Sequence, residues 1–222
     1  MNSRISAALI CAFLLLASTA FGADKSLLKP PPGAKVAIIE FEDLQCPDCA
    51  RAAPLVHEAV NTYKIPWVRH DFPLPQHNWS YDAAIIARYL DTTSKKIGDG
   101  WRDYCFQHQP EITPDNLRQT AEQYARENHV ELPFALDPLG KLANAIKGDV
   151  DLAKRIGIEH TPTIYVVSNK TTGTPFVEVV DRTQLFSIID QIKQETGAER
   201  AESADRRPQA RPQRDRLGAC RT

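Results

Sequence analysis

Cys46-Pro47-Asp48-Cys49 is the most reactive grouping in this 222-residue chain. Two thiols at that spacing can close a structural disulfide, supply half of a metal site, or exchange disulfides with another molecule. The surrounding residues weigh between these. Residues 36–41 form a near-continuous apolar run, suited to a strand buried on both faces. Residues 47–63 carry Ala52, Val56, Ala59, Val60 and Tyr63 along one helical stripe. The cysteines therefore stand where a strand gives way to a helix. At the cap position Cys46 meets free N–H groups and the positive end of the helix dipole, both of which favour a thiolate. A thiolate is the attacking species in exchange and also a good leaving group. Cys49, one turn further in, is the expected resolving thiol. Pro47 costs little at the first helical position, because its missing N–H would have had no intrahelical partner. Asp48 brings a carboxylate close enough to repel the Cys46 thiolate. A zinc site needs two more ligands, and no second CxxC or HxxxH pair is present, so neither metal nor cofactor is expected.

Other residues stand out beside the pair. Glu40, in the strand ahead of Cys46, is a carboxylate in apolar surroundings, where burial raises its pKa or demands a partner such as Arg69. Glu42 and Asp43 are expected as exposed acids on the rim. His160-Thr161-Pro162-Thr163 precedes a further apolar run, where Pro162 reads on chemical grounds as a strand-initiating proline. Cys105, within Trp101-Arg102-Asp103-Tyr104-Cys105-Phe106, reads as a buried thiol. Cys220 reads as exposed, with a Cys105–Cys220 pair as the alternative. Trp79, Trp101 and Tyr104 read as core or groove aromatics.

These residues must be held by a scaffold, and the pattern of the chain predicts one. A second strand is expected at 66–72, helices across 80–156, a hairpin of strands at 163–167 and 176–180, and a last helix capped by Asp181. Pro54 should kink the first helix. Thr113-Pro114 and Asp137-Pro138 read as helix starts, Gly148 and Gly157 as helix stops. The order is β-α-β, a helical block, then β-β-α. Residues 1–22 combine Arg4, an apolar stretch and small residues Ala20 and Gly22, the marks of a Sec-type signal peptide that would carry the chain to a periplasm or its equivalent. Cys11 would be lost with it. Residues 23–34 are a proline-rich lead-in, 35–196 the folded domain with its helical insertion at about 78–157, and 197–222 a disordered tail. A net charge of −1 leaves no broad footprint for nucleic acid.

The stretches Phe41-Glu42-Asp43-Leu44-Gln45-Cys46-Pro47-Asp48-Cys49 and Gly157-Ile158-Glu159-His160-Thr161-Pro162-Thr163, in this order and with a helical block between them, resemble those of DsbA-type thiol:disulfide oxidoreductases. The similarity covers about residues 35–195. It implies an α/β, thioredoxin-like fold with an inserted helical domain. It also implies a cis Thr161–Pro162 bond packed against the CxxC, with the Thr161 backbone presented to an extended substrate segment. Glu40 would lie below the disulfide and aid proton transfer at the buried cysteine, the alternative to a salt bridge with Arg69. Unfolded or cysteine-containing proteins are the implied substrates, and a membrane protein of DsbB or VKOR-like type the implied redox partner of a monomer. Asp48 stands where the best-known DsbA has histidine, and Thr161 where it has valine, which leaves oxidase and reductase directions both open. Residues 23–34 leave no room for the dimerisation domain of the family's isomerases. A non-catalytic binding module stapled by the CxxC is the reading from another class.

Overall fold

A computed structural model describes residues 23–170 and 175–197. The expected signal peptide and the expected tail beyond Gly197, Cys220 included, lie outside these residues.

Four strands form one sheet in the order β2-β1-β3-β4. β1 (Val36–Glu42) lies between β2 (Trp67–Asp71), which runs parallel to it, and β3 (Thr163–Ser168), which runs antiparallel. β4 (Phe176–Glu178) pairs antiparallel with β3 at the edge. Every residue of β1 is buried, because helices cover both faces of the sheet. Alternation assigns the faces. Val36 and Ile38 meet Ala52, Val56 and Ala59 of α1 (Pro47–Tyr63) and Ile189 and Ile192 of the last helix. Ala37, Ile39 and Phe41 meet Leu28 and, across the sheet, Ala153 and Ile156. Glu40 and Glu42 continue the Val36–Ile38 row, so the same periodicity directs two carboxylates under α1.

Between β2 and β3 come α2 (Ser80–Thr93), α3 (Lys95–Gln107), α4 (Leu117–Glu127) and α5 (Lys141–Ile156); α6 (Leu185–Thr196) follows β4. Trp79, Leu90, Trp101, Cys105 and Ala121 form the core of the helical block, and this core runs on into Leu44, Cys46 and Cys49. The helical block is therefore packed directly behind the cysteines.

Several local expectations shift. Gly148 lies inside α5 and does not end it; Gly157 does, in the left-handed region at φ 81°. Neither Pro114 nor Pro138 is the first residue of a helix, because each sits in a turn ahead of it. Asp137 still serves α5, accepting the N–H of Ala143 at 2.8 Å. Asp181 caps a 3₁₀ turn, Arg182–Gln184, that leads into α6. β4 stops at Glu178, short of the expected residue 180.

Candidate active site

Cys46 is the N-cap of α1 with extended backbone, and Pro47 follows in the first turn. The approach to it is tied down by polar side chains. Asp43 accepts from the N–H of Gln45 at 2.7 Å, from the N–H of Leu74 at 2.6 Å, and pairs with His77 at 2.8 Å. Gln45 accepts from the N–H of Trp79 at 2.9 Å. Gln109, just past α3, donates to the carbonyls of Leu44 and Cys46 at 2.9 and 3.0 Å. Asp43 is thus buried, not an exposed rim acid, because loop N–H groups converge on its carboxylate.

The two thiols differ sharply. Cys46 is 7% exposed and Cys49 0%. The Cys46 thiol is lowered to about 5. The largest cause is donation from the Cys49 thiol, joined by the Thr161 hydroxyl and the backbone N–H groups of Cys49 and Asp48, while burial opposes. Cys49 is pushed well above the ordinary thiol range, first by burial, then by its donation to Cys46 and by the charge of Glu40. The Thr161–Pro162 bond is cis. It brings the Thr161 carbonyl within 3.4 Å of Cys46 Sγ, which donates to it when protonated. Thr161 Oγ1 is buried with no hydrogen-bond partner among the described residues, so its proton is free for a Cys46 thiolate.

Beneath the cysteines lies a floor of buried charge. Glu40 accepts from Trp67 Nε1 at 3.0 Å and is raised to about 8, first by burial and then by the charge of Glu42. Arg69 is the register partner of Glu40, yet its guanidinium forks onto Glu42 at 2.9 and 3.0 Å and reaches Asp103 at 3.0 Å. The proposed Glu40–Arg69 salt bridge is therefore replaced by Glu42–Arg69. Glu42 is not an exposed rim acid either, since α1 and α3 cover its face of the sheet. Arg102 of α3 lies between Asp91 at 3.0 Å and Asp71 at 3.5 Å, and Arg88 also pairs with Asp71.

At the mouth, Asp48 accepts from Arg51 at 2.6 Å and from Arg182 at 3.3 Å. Its repulsion of the thiolate is thus opposed by two guanidinium groups, which also lower its own pKa, Arg51 first. A groove of about 210 Å³ runs past Asp48, Thr161, Pro162, Val180 and Arg182. Among the described residues no cluster of three His, Cys, Asp or Glu side chains is placed to hold a metal ion.

Residues 31–205 match the family model described as Thioredoxin. The chain belongs to the thioredoxin family. The solved structure of α-DsbA1 from Wolbachia pipientis is similar at TM-score 0.63, with 17% identity, over 80% of this chain and 98% of that one. Proteus mirabilis ScsC is similar at TM-score 0.58, with 19% identity, over 75% of this chain and 71% of that chain. Pseudomonas aeruginosa DsbA2 is similar at TM-score 0.53, with 23% identity, over 73% and 91%. The α/β fold with its inserted helices is thus the DsbA-type variant of the thioredoxin fold. Among curated proteins, Na(+)/H(+) antiporter NhaA 3 of Salinispora tropica is 26% identical over 197 residues, which is 85% of this chain and 29% of the antiporter.

In this thioredoxin-family site Cys46, Pro47, Asp48, Cys49, Thr161 and Pro162 come together at the mouth, with Glu40 below. Gln45, Gln109 and Arg182 belong to the same assembly and escaped sequence reasoning. Gln109 and Arg182 lie 63 and 134 residues from the main-chain atoms they hold, and neither belongs to a recognisable motif.

Proposed function

We propose that this chain is an exported thiol:disulfide oxidoreductase that donates the Cys46–Cys49 disulfide to protein substrates. A substrate thiolate attacks Cys46 Sγ, forms a mixed disulfide and displaces Cys49 as the leaving thiolate. A buried thiolate of raised pKa needs a proton at once, and Glu40, still protonated at neutral pH, is the group beneath it to supply one. A second substrate thiolate attacks the substrate sulfur of the mixed disulfide and releases Cys46 as thiolate. The substrate gains its disulfide, and two electrons remain on the Cys46–Cys49 dithiol. A membrane redox partner of DsbB or VKOR-like type would then take them. Thr161 and Pro162 present backbone to an extended substrate segment along the groove. Periplasmic localisation follows from the Sec-type signal read in residues 1–22.

The observation that carries this reading is the unequal pair: an acidic Cys46 at the helix N-terminus and a buried, high-pKa Cys49 behind it. An acidic Cys46 stabilises the dithiol relative to the disulfide, which favours donation. Cys46→Ser should abolish oxidation of reduced, unfolded protein, whereas Cys49→Ser should accumulate covalent complexes with substrate. A Cys49→Ser protein with a reactive Cys46 and no trapped complexes would refute the roles. A glutathione titration fixes the direction: a potential as negative as that of thioredoxin, about −270 mV, would make the chain a reductase.

A further inference from the structure

The main chain of Asp43 touches both cysteines. Its N–H donates to Cys49 Sγ at 3.4 Å, and its carbonyl accepts the N–H of Cys46 at 3.0 Å. Two sets of bonds hold that main chain in place. The Glu42 carbonyl shares a peptide unit with the Asp43 N–H and accepts the N–H of Phe72 at 2.7 Å. In a trans peptide the two groups point in opposite directions, so the Phe72 bond turns the Asp43 N–H toward the sulfur. The buried Asp43 carboxylate adds the second set. It accepts from the N–H groups of Gln45 and Leu74 at 2.7 and 2.6 Å and pairs with His77 at 2.8 Å. Cys49 itself has no exposure, so water cannot take up charge that forms on its sulfur.

We propose that Asp43 is a positioning residue for the departing Cys49 thiolate: its main-chain N–H receives the sulfur, and its carboxylate keeps that N–H in place. The inference rests on the proposed function for one point, that Cys49 is the leaving thiol. When a thiolate bonds to Cys46 Sγ, the Cys46–Cys49 bond breaks and its electron pair stays on Cys49 Sγ. Cys46 is then bonded to the incoming sulfur and has no proton to donate. Burial, the first cause of the raised Cys49 pKa, makes that charge costly, and the Asp43 N–H acts against the rise. A donor already aimed at developing charge needs no reorganisation as the charge appears. The N–H steadies the thiolate until the proton of Glu40 arrives, so the two groups act in sequence. Segment 72–77 thereby enters the site through two main-chain N–H groups and one imidazole, those of Phe72, Leu74 and His77.

The test compares two reactions of the full chain. In the first, dithiothreitol reduces the Cys46–Cys49 disulfide. One of its thiolates bonds to Cys46 and releases Cys49; the other then closes the oxidised ring and releases Cys46, a step that intramolecular geometry makes fast. The attack that expels Cys49 therefore sets the rate. In the second, iodoacetamide alkylates Cys46 of the reduced protein, and no thiolate leaves from Cys49. Asp43→Ala should slow reduction about tenfold, a part of the roughly 100–1000-fold that outright loss of such a donor costs, and should leave alkylation nearly unchanged. Asp43→Asn keeps one acceptor oxygen but turns an amide N–H2 toward groups that donate, so it should slow reduction about threefold. That variant decides the matter if Asp43→Ala does not fold. Unchanged reduction in Asp43→Asn would overturn the proposal. Equal slowing of both reactions with a lowered melting temperature would overturn it too, making Asp43 a structural clamp only. Alkylation of wild-type Cys49 in place of Cys46 would instead refute the proposed function, so the two failures are distinguishable.

Discussion

The mouth of the site and its floor use the same chemistry, carboxylates set against arginines, in opposite surroundings. At the mouth, Asp48 and Arg182 are 47% and 38% exposed in their side chains; on the floor, Glu42 and Arg102 are 0% exposed. Water screens the first set, so each pair contributes at most about 1 kcal/mol and serves to aim groups rather than to hold the fold. The second set has lost its hydration. There the pairing offsets a desolvation cost, and removing one partner leaves an uncompensated charge. The floor is also where β1 and β2 meet the helical block, through Glu42, Arg69 and Asp71 on one side and Arg102 and Asp103 on the other. The mouth surrounds the thiol proposed to do the exchange, and the floor joins two parts of the molecule.

The comparison breaks most visibly by truncating one arginine on each side. Arg102→Met should destabilise the protein by about 3–5 kcal/mol, since Asp71 and Glu42 lose a buried counter-charge. Arg51→Ala, which removes the shortest ion pair of Asp48, should change stability by less than about 1 kcal/mol. Denaturant unfolding of both variants checks this, and comparable losses would erase the distinction.

A second difference lies in the sign of pH dependence. Glu40 is raised from 4.5 to about 8, so the folded state holds a proton that the unfolded chain releases. Its contribution is complete below pH 4.5 and is lost as pH rises through about 8. Cys46 is lowered from 9.0 to about 5, so its contribution to the reduced protein is complete above pH 9 and is lost as pH falls through about 5. Melting curves of reduced protein between pH 4 and 9 should show Glu40→Gln gaining on wild type as pH rises and Cys46→Ser gaining as pH falls. The same slope for both variants would contradict the assignment of the two groups.

The smallest expected effect concerns Asp48. Asp48→His should lower the Cys46 pKa further, because it removes a negative charge and leaves Arg51 and Arg182 unopposed. The existing pairing limits the shift to about one pKa unit, or about 30 mV for a two-electron couple. A raised Cys46 pKa in this variant would reverse the electrostatic account of the mouth.

The unequal legibility of the two regions in the sequence follows from the same contrast. The strand–CxxC–helix junction is a local pattern, written in the apolar run ahead of Cys46 and the stripe from Ala52 to Tyr63. The Thr161–Pro162 element was legible by resemblance, and its cis bond could not have been derived from composition. Glu42 and Asp43 are buried although charge alone predicts the rim. Glu42 shares the parity of Val36 and Ile38, and alternation alone puts it on the covered face. Its partners could not be read in advance, since Arg69 and Arg102 arrive from a neighbouring strand and from a helix of the inserted block. The helices begin at Leu117 and Lys141, three residues beyond Pro114 and Pro138, because proline after a polar residue opens a turn as readily as a helix.

Gln109 grips the loop by main-chain oxygens alone, the carbonyls of Leu44 and Cys46. Such a grip does not depend on which side chains stand at positions 47 and 48. The inserted block therefore acts as a socket, and the dipeptide between the cysteines as an interchangeable part within it. Substituting residues 47 and 48 changes that part while the two main-chain bonds of Gln109 that hold the loop stay available.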